Sequence, residues 1–158
     1  MNRVNIAGHP IHPMLVTIPI GLWVFSLVCD LVFASTGDRL WLSTAYLCLG
    51  GGIIGAVVAA IPGLFDMLAL RHPVERRTAV THMAINLGIV VVQIINFWLR
   101  SQENFSFPLA LALSVISVGA LVVSGWLGGH LVHVLGVTQP GHESHVAAAA
   151  EEARTRRT

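Results

Sequence analysis

From Phe107 to Val134 the chain reads FPLALALSVISVGALVVSGWLGGHLVHV, a run without a single Asp, Glu, Lys or Arg. It is longer than the ~20 residues that a helix needs to cross a hydrocarbon core of ~30 Å. Backbone amides in lipid must be satisfied within their own segment, so the run is predicted to be a membrane-spanning helix. Three more runs read the same way, from about Met14 to Ala34, Leu40 to Leu70 and Ala79 to Leu99. With 158 residues, 54% hydrophobic and 11% charged, the chain has more apolar surface than one small soluble core could use. The segments between the runs, residues 35–39, 71–77 and 100–104, are short enough to make consecutive helices antiparallel neighbours. The expected fold is all-α: an integral membrane up-down four-helix bundle in one domain over residues 1–138. Residues 139–158, with Pro140-Gly141, an alanine run and several arginines, are expected to form a solvated cytoplasmic tail.

Orientation follows from the arginines, since all nine basic residues are Arg. Arg3, Arg71, Arg76, Arg77, Arg154, Arg156 and Arg157 fall on one side of the four runs, against Arg39 and Arg100 on the other. Basic residues favour the cytoplasmic face, so both termini are expected there, in a bacterial inner membrane. The first run has only Arg3 ahead of it and Asp38-Arg39 rather than a cleavage motif after it, so it is expected to stay as an anchor. A net charge of +1, with arginines that serve as topology signals, argues against nucleic acid as a partner. Cys29 and Cys48 read as small packing residues within spans one and two.

Depth gives the functional clue. Stepping inward at ~1.5 Å per residue from the cytoplasmic side, His12 opens the first helix and Asp66 lies near the end of the second. His82 lies near the start of the third, and His130 and His133 in the last turns of the fourth. All four helices therefore deliver an ionisable group to one layer, and such groups are costly in a bilayer unless they serve a site. Asp30, at the other end, is expected to be accounted for by Arg39 or by water near the loop. His72 is assigned to a loop, and His142 and His145 to the tail. His130 and His133 fit a helical pair, with rings on nearly one face. His9 and His12 are each followed by proline, so residues 8–13 are expected to be extended or turning, a lid over the mouth of the bundle.

These residues carry a resemblance. Gly8-His-Pro-Ile-His-Pro-Met-Leu-Val-Thr-Ile-Pro-Ile-Gly21, Pro62-Gly-Leu-Phe-Asp66, His82 with Asn86, and Ser124-Gly-Trp-Leu-Gly-Gly129 resemble the bacterial membrane family called domain of unknown function 2231, over nearly all of residues 6–137. The resemblance implies four helices. Some members are joined to Rieske-type iron–sulphur domains, which implies redox work in the membrane. His9, His12, Asp66 and His82 correspond to polar positions of that family. The segment after Gly129 departs from it, since many relatives carry an acidic residue and a tyrosine where this chain has His130 and His133.

Two chemistries compete for the layer. In the first, histidines from different helices hold a b-type haem for electron transfer, with His82 as the leading axial ligand and His12 or His130 opposite. In the second, His9, His12, Asp66, His82, His130 and His133 form a nitrogen and carboxylate site for a bare Fe, Cu or Zn ion, with Met14, Met67 and Met83 available to copper(I). Glycines at 50–52, 55, 88 and 128–129 leave room for a macrocycle or let helices pack closely. A third reading has no cofactor: an accessory subunit of a larger membrane complex, with Trp23, Trp41, Trp98 and Trp126 as lipid anchors or contacts. The partners expected are membrane lipids, membrane redox proteins or a larger respiratory-type complex, and a second copy of the chain. A transporter is disfavoured, because no polar chain is expected to cross the middle of the bundle. Phosphate loops, dinucleotide fingerprints and paired-cysteine knuckles do not occur, and Ser124 follows no strand, so no hydrolase or other soluble enzyme class is indicated.

Overall fold

The structure, a computed structural model, describes residues 5–6, 9–137 and 155. The expected tail, with His142 and His145, otherwise lies outside the described residues. A two-residue antiparallel pairing of β1 (Asn5–Ile6) with β2 (His9–Pro10) precedes the helices. Then come α1 (Ile11–Leu15), α2 (Thr17–Thr36), α3 (Arg39–Leu68), α4 (Pro73–Arg100) and α5 (Phe107–Gly129), the last running into a π-helical turn, His130–Val134. Four spans are long and apolar enough to cross a membrane: Ile11–Thr36, Arg39–Leu68, Pro73–Arg100 and Phe107–Val134. The expected all-α membrane bundle is the observed one. α2 packs on α3 and α5, and α4 packs on α3 and α5, closing a ring of four helices.

Local chemistry sets the boundaries. α2 stops at Gly37, whose φ of 70° suits glycine and whose N–H donates to the Phe33 carbonyl at 2.8 Å. Asp38 then caps α3 by accepting the Leu40 N–H at 2.9 Å. The break at Val16 lies within one turn of Pro19, which has no N–H for the Leu15 carbonyl. α4 begins at Pro73, earlier than the expected Ala79. Proline at the first helical position loses no helical bond, and Glu75 in the first turn favours the positive end of the helix. His72 is thus the exposed residue before that helix.

The bundle is two helical hairpins laid together. In the first, glycines let α2 and α3 close up: a Cβ on Gly52 would clash with the Trp23 indole, and one on Gly55 would lie 3.2–3.3 Å from Ile18 and Pro19. Trp23 is therefore no lipid anchor. It is 3% exposed and its indole N–H donates to the Leu49 carbonyl at 3.2 Å. Trp98 and Trp126 do face outward. In the second hairpin, α4 and α5 meet through polar side chains. Asn96 Nδ2 donates to Ser114 Oγ at 3.0 Å and Asn86 Nδ2 to Ser124 Oγ at 2.6 Å, which fixes the antiparallel register. Trp23, Ile89 and Leu121 form an apolar layer across the middle, and Leu70, Ala79, Leu131 and Val137 form another at the histidine end.

Candidate functional site

Each hairpin presents one imidazole to the other. His12, in α1, is half-buried and its Nδ1–H donates to the Ala59 carbonyl of α3 at 2.8 Å. That carbonyl lies in the turn of α3 disturbed by Pro62, whose missing N–H and bulky ring loosen the local helical bonding and favour outside donors. His82, in α4, donates from Nδ1 to the Ser124 carbonyl of α5 at 2.9 Å, with Ser124 Oγ 3.0 Å away. A carbonyl only accepts, so both rings carry their proton on Nδ1 and keep a lone pair on Nε2. The ring centroids are 6.5 Å apart and the planes stand at 85°.

The surroundings seat these rings closely. A Cβ on Gly63 would come within 2.7 Å of the His12 ring, and one on Gly128 within 3.2 Å of the His82 ring. Of the glycines named from sequence, Gly128 thus serves a histidine. Gly50, Gly51, Gly52 and Gly55 serve packing against Phe97, Leu22, Trp23, Ile18 and Pro19 instead. Asn86 secures the other side. Its amide donates to the His82 carbonyl at 2.8 Å and to Ser124 Oγ, and lies 3.2 Å from His82 Nε2.

The remaining candidates are placed differently. Asp66 is half-buried and engaged by a neighbour. His130 and His133 do not form the expected α-helical pair. They sit in a π turn closed by the Leu135 N–H on the His130 carbonyl at 3.0 Å, whose wider winding takes residues three apart off a common face, and His133 is exposed. The His9 side chain lies outside the described residues. Among the described residues no group of three or more His, Cys, Asp or Glu side chains is arranged to hold a metal ion. Met14 and Met83 are exposed and Met67 packs in the core, and Cys29 and Cys48 are free thiols.

A second polar cluster occupies the opposite end, and the sequence reading missed it. Arg100 is no loop arginine. Nη1 and Nη2 donate to the two carboxylate oxygens of Asp30 at 2.7 and 2.6 Å, and the two side chains are 2% and 0% exposed. Asp30 is therefore paired with Arg100 and not with Arg39, which is exposed. Arg100 Nε also donates to Asn96 Oδ1 at 3.1 Å, and Ser114 Oγ donates to Asp30 Oδ2 at 3.1 Å. With Gln93 and Ser117, also buried, polar side chains follow the α4–α5 seam from end to end, interrupted at the Ile89–Leu121 level. Polar side chains thus approach the middle from both ends, and the apolar layer separates the two stretches. The signal was present in sequence: Asn86, Gln93, Asn96 and Arg100, and Ser114, Ser117 and Ser124, recur at spacings of three, four or seven that place them on one helix face.

Neither the search of curated proteins nor that of solved structures produced a match. The family model described as "Predicted membrane protein (DUF2231)" matches residues 8–140, an interval that contains all four spans, both imidazoles and the Asp30–Arg100 pair. With most of its length matched, and with four helices able to cross a membrane, this chain belongs to the DUF2231 family of membrane proteins.

Proposed function

We propose that His12 and His82 are the two nitrogen ligands of one metal centre, a b-type haem, and that the protein carries electrons within the membrane. The observation that carries this reading is the imidazole pair itself: two rings from opposite hairpins, 6.5 Å between centroids, each with Nδ1 tied to a helix carbonyl. A hydrogen-bonded Nδ1 with the lone pair left on Nε2 is the state that a metal-binding histidine takes, its tautomer and tilt held by the partner; on His82 that lone pair faces the Asn86 amide. Were both Nε2 atoms to hold one ion, bonds of ~2.0 Å would bring the centroids within about 6 Å of each other, and the rings stand 6.5 Å apart.

The donor set fits the group. Two imidazoles suit a macrocycle that brings four donors of its own better than a bare ion that needs three or four from protein. Asp66, His130 and His133 then stand outside the first set of ligands, and His12 rather than His130 lies opposite His82. When bound, haem supplies one-electron chemistry at iron. The chain's own contribution is to orient the rings and keep water out. Ala59 and Ser124 fix the tautomers, and the Trp23–Ile89–Leu121 layer keeps the site dry from the far side. The Asn86 contact to His82 Nε2 is the longest of the three its amide makes, so that amide keeps its two shorter partners when Nε2 takes a ligand.

Orientation is part of the proposal. Arg71, Arg76 and Arg77 are exposed at the histidine end, whereas Arg100 is buried in an ion pair, which leaves Arg39 as the exposed arginine of the other end among the described residues. That bias supports cytoplasmic termini in a bacterial inner membrane, with membrane redox proteins as partners.

A reduced-minus-oxidised absorption spectrum, with metal analysis of the same detergent-purified sample, tests the reading. A Soret band with sharp visible bands and stoichiometric iron is expected, and His12→Ala and His82→Ala should each abolish it. A stoichiometric metal without such bands would replace haem by a bare ion. A protein without metal, even after incubation with haem, would make it an accessory subunit.

A further inference from the structure

The second polar cluster holds two features that its hydrogen bonds do not use. Gln93 Nε2 and Ser117 Oγ are the buried side-chain polar atoms without a partner among the described residues. Both residues are at most 1% exposed. The Asn96–Ser114 and Asn86–Ser124 bonds fix the register of α4 on α5, so Gln93 and Ser117 lie level with each other, one turn beyond the Ile89–Leu121 level. A ladder that served only to hold helices together would have no reason to leave an amide and a hydroxyl unpaired deep in the bilayer, where each pays its full desolvation cost. Polar cavities of this kind hold ordered water.

We infer that Gln93 and Ser117 bind a water molecule, the inner end of a hydrated track that enters the bundle from the Arg100 end. The Gln93 amide donates to the water oxygen and the water donates to Ser117 Oγ. The track continues outward through Asn96, Ser114 and the Asp30–Arg100 pair. Arg100 also lines an open cavity of about 340 Å³ with Leu42, Ser43, Tyr46, Leu47 and Phe105, at the same end of the bundle. Inward, the track meets the Trp23–Ile89–Leu121 layer, beyond which Ser124, Asn86 and His82 resume the polar seam. That layer is the barrier between the track and the histidine end, and none of its residues or those of the track is a proposed metal ligand.

Proton flux through the full chain in sealed vesicles of neutral phospholipid, read with a trapped pH-sensitive dye after an imposed pH step, tests the barrier and the track together. Wild type should hold the gradient, whereas Leu121→Ser and Ile89→Ser should each dissipate it several-fold faster. Adding Gln93→Leu to either variant should restore tightness. A leaky wild type, layer variants as tight as wild type, or a leak indifferent to Gln93→Leu would overturn the inference. If the layer variants do not fold, a thermal-unfolding cycle of Gln93→Met and Ser117→Ala decides. Two residues sharing one water should each lose stability alone and lose less than the sum together. Single variants that gain stability, or losses that simply add, would mean the site is dry.

Discussion

A single methyl group at Gly63 separates a seated imidazole from a displaced one. A side chain there would come within 2.7 Å of Nδ1 and Cε1 of the His12 ring, the same edge that donates to the Ala59 carbonyl, so the ring cannot yield without disturbing that bond. Gly63→Ala should therefore cost about 1–3 kcal/mol, the usual range for overpacking, and, if His12 holds the proposed haem, should lower haem content as well. Gly128→Ala, at 3.2 Å from the His82 ring, asks for a shift of only a few tenths of an ångström, so it should keep most of both. Melting temperature and haem content of the two purified variants give the comparison. The Asp30–Arg100 pair sets a different test. Asp30→Leu or Arg100→Met alone leaves an uncompensated buried charge and should cost about 3–5 kcal/mol, while the double variant should regain most of the loss. Thermal unfolding of the three variants in detergent measures this, and additive losses would contradict it.

At the scale of elements, the turn between α2 and α3 has two residues on which the first hairpin depends. Gly37 takes a left-handed conformation and Asp38 caps the next helix. Gly37→Ala should lower stability by roughly 1–2 kcal/mol, since a Cβ is disfavoured at positive φ; a calorimetric scan reads the change. The four spans were legible because lipid imposes one rule on every segment, and apolar runs of sufficient length leave no alternative fold. The His12 and His82 pairing was legible in part, because helix rise alone puts both at one depth. What hid Arg100 was its place at the end of an apolar run beside Ser101-Gln-Glu-Asn104, where an arginine reads as a flanking charge. Depth counting assigns a level and not a direction, and Arg100 turns inward because Asp30, on another helix, offers it both oxygens. The π turn at His130–Val134 was equally hidden, since no residue in that stretch forbids an ordinary helix.

At the scale of the whole molecule, the hairpins put the segment around His72 and that around Ser101 at opposite ends. With Cys29 and Cys48 replaced by alanine, His72→Cys and Ser101→Cys should be labelled from opposite sides of intact cells by a membrane-impermeant thiol reagent. His72→Cys should react only after permeabilisation if the arginine bias sets the orientation, and labelling on one common side would contradict the hairpin arrangement. The Asp30–Arg100 pair also constrains how the protein is made. Its two members are joined across much of the chain, so the ribosome delivers the first span with its carboxyl long before the guanidinium emerges. Until then Asp30 lacks the partner that it has in the folded bundle, so burying its charge costs more before the third span arrives than after. A nascent chain arrested ahead of Arg100 should accordingly hold Asp30 without its partner and is expected to be less stably inserted than the completed chain.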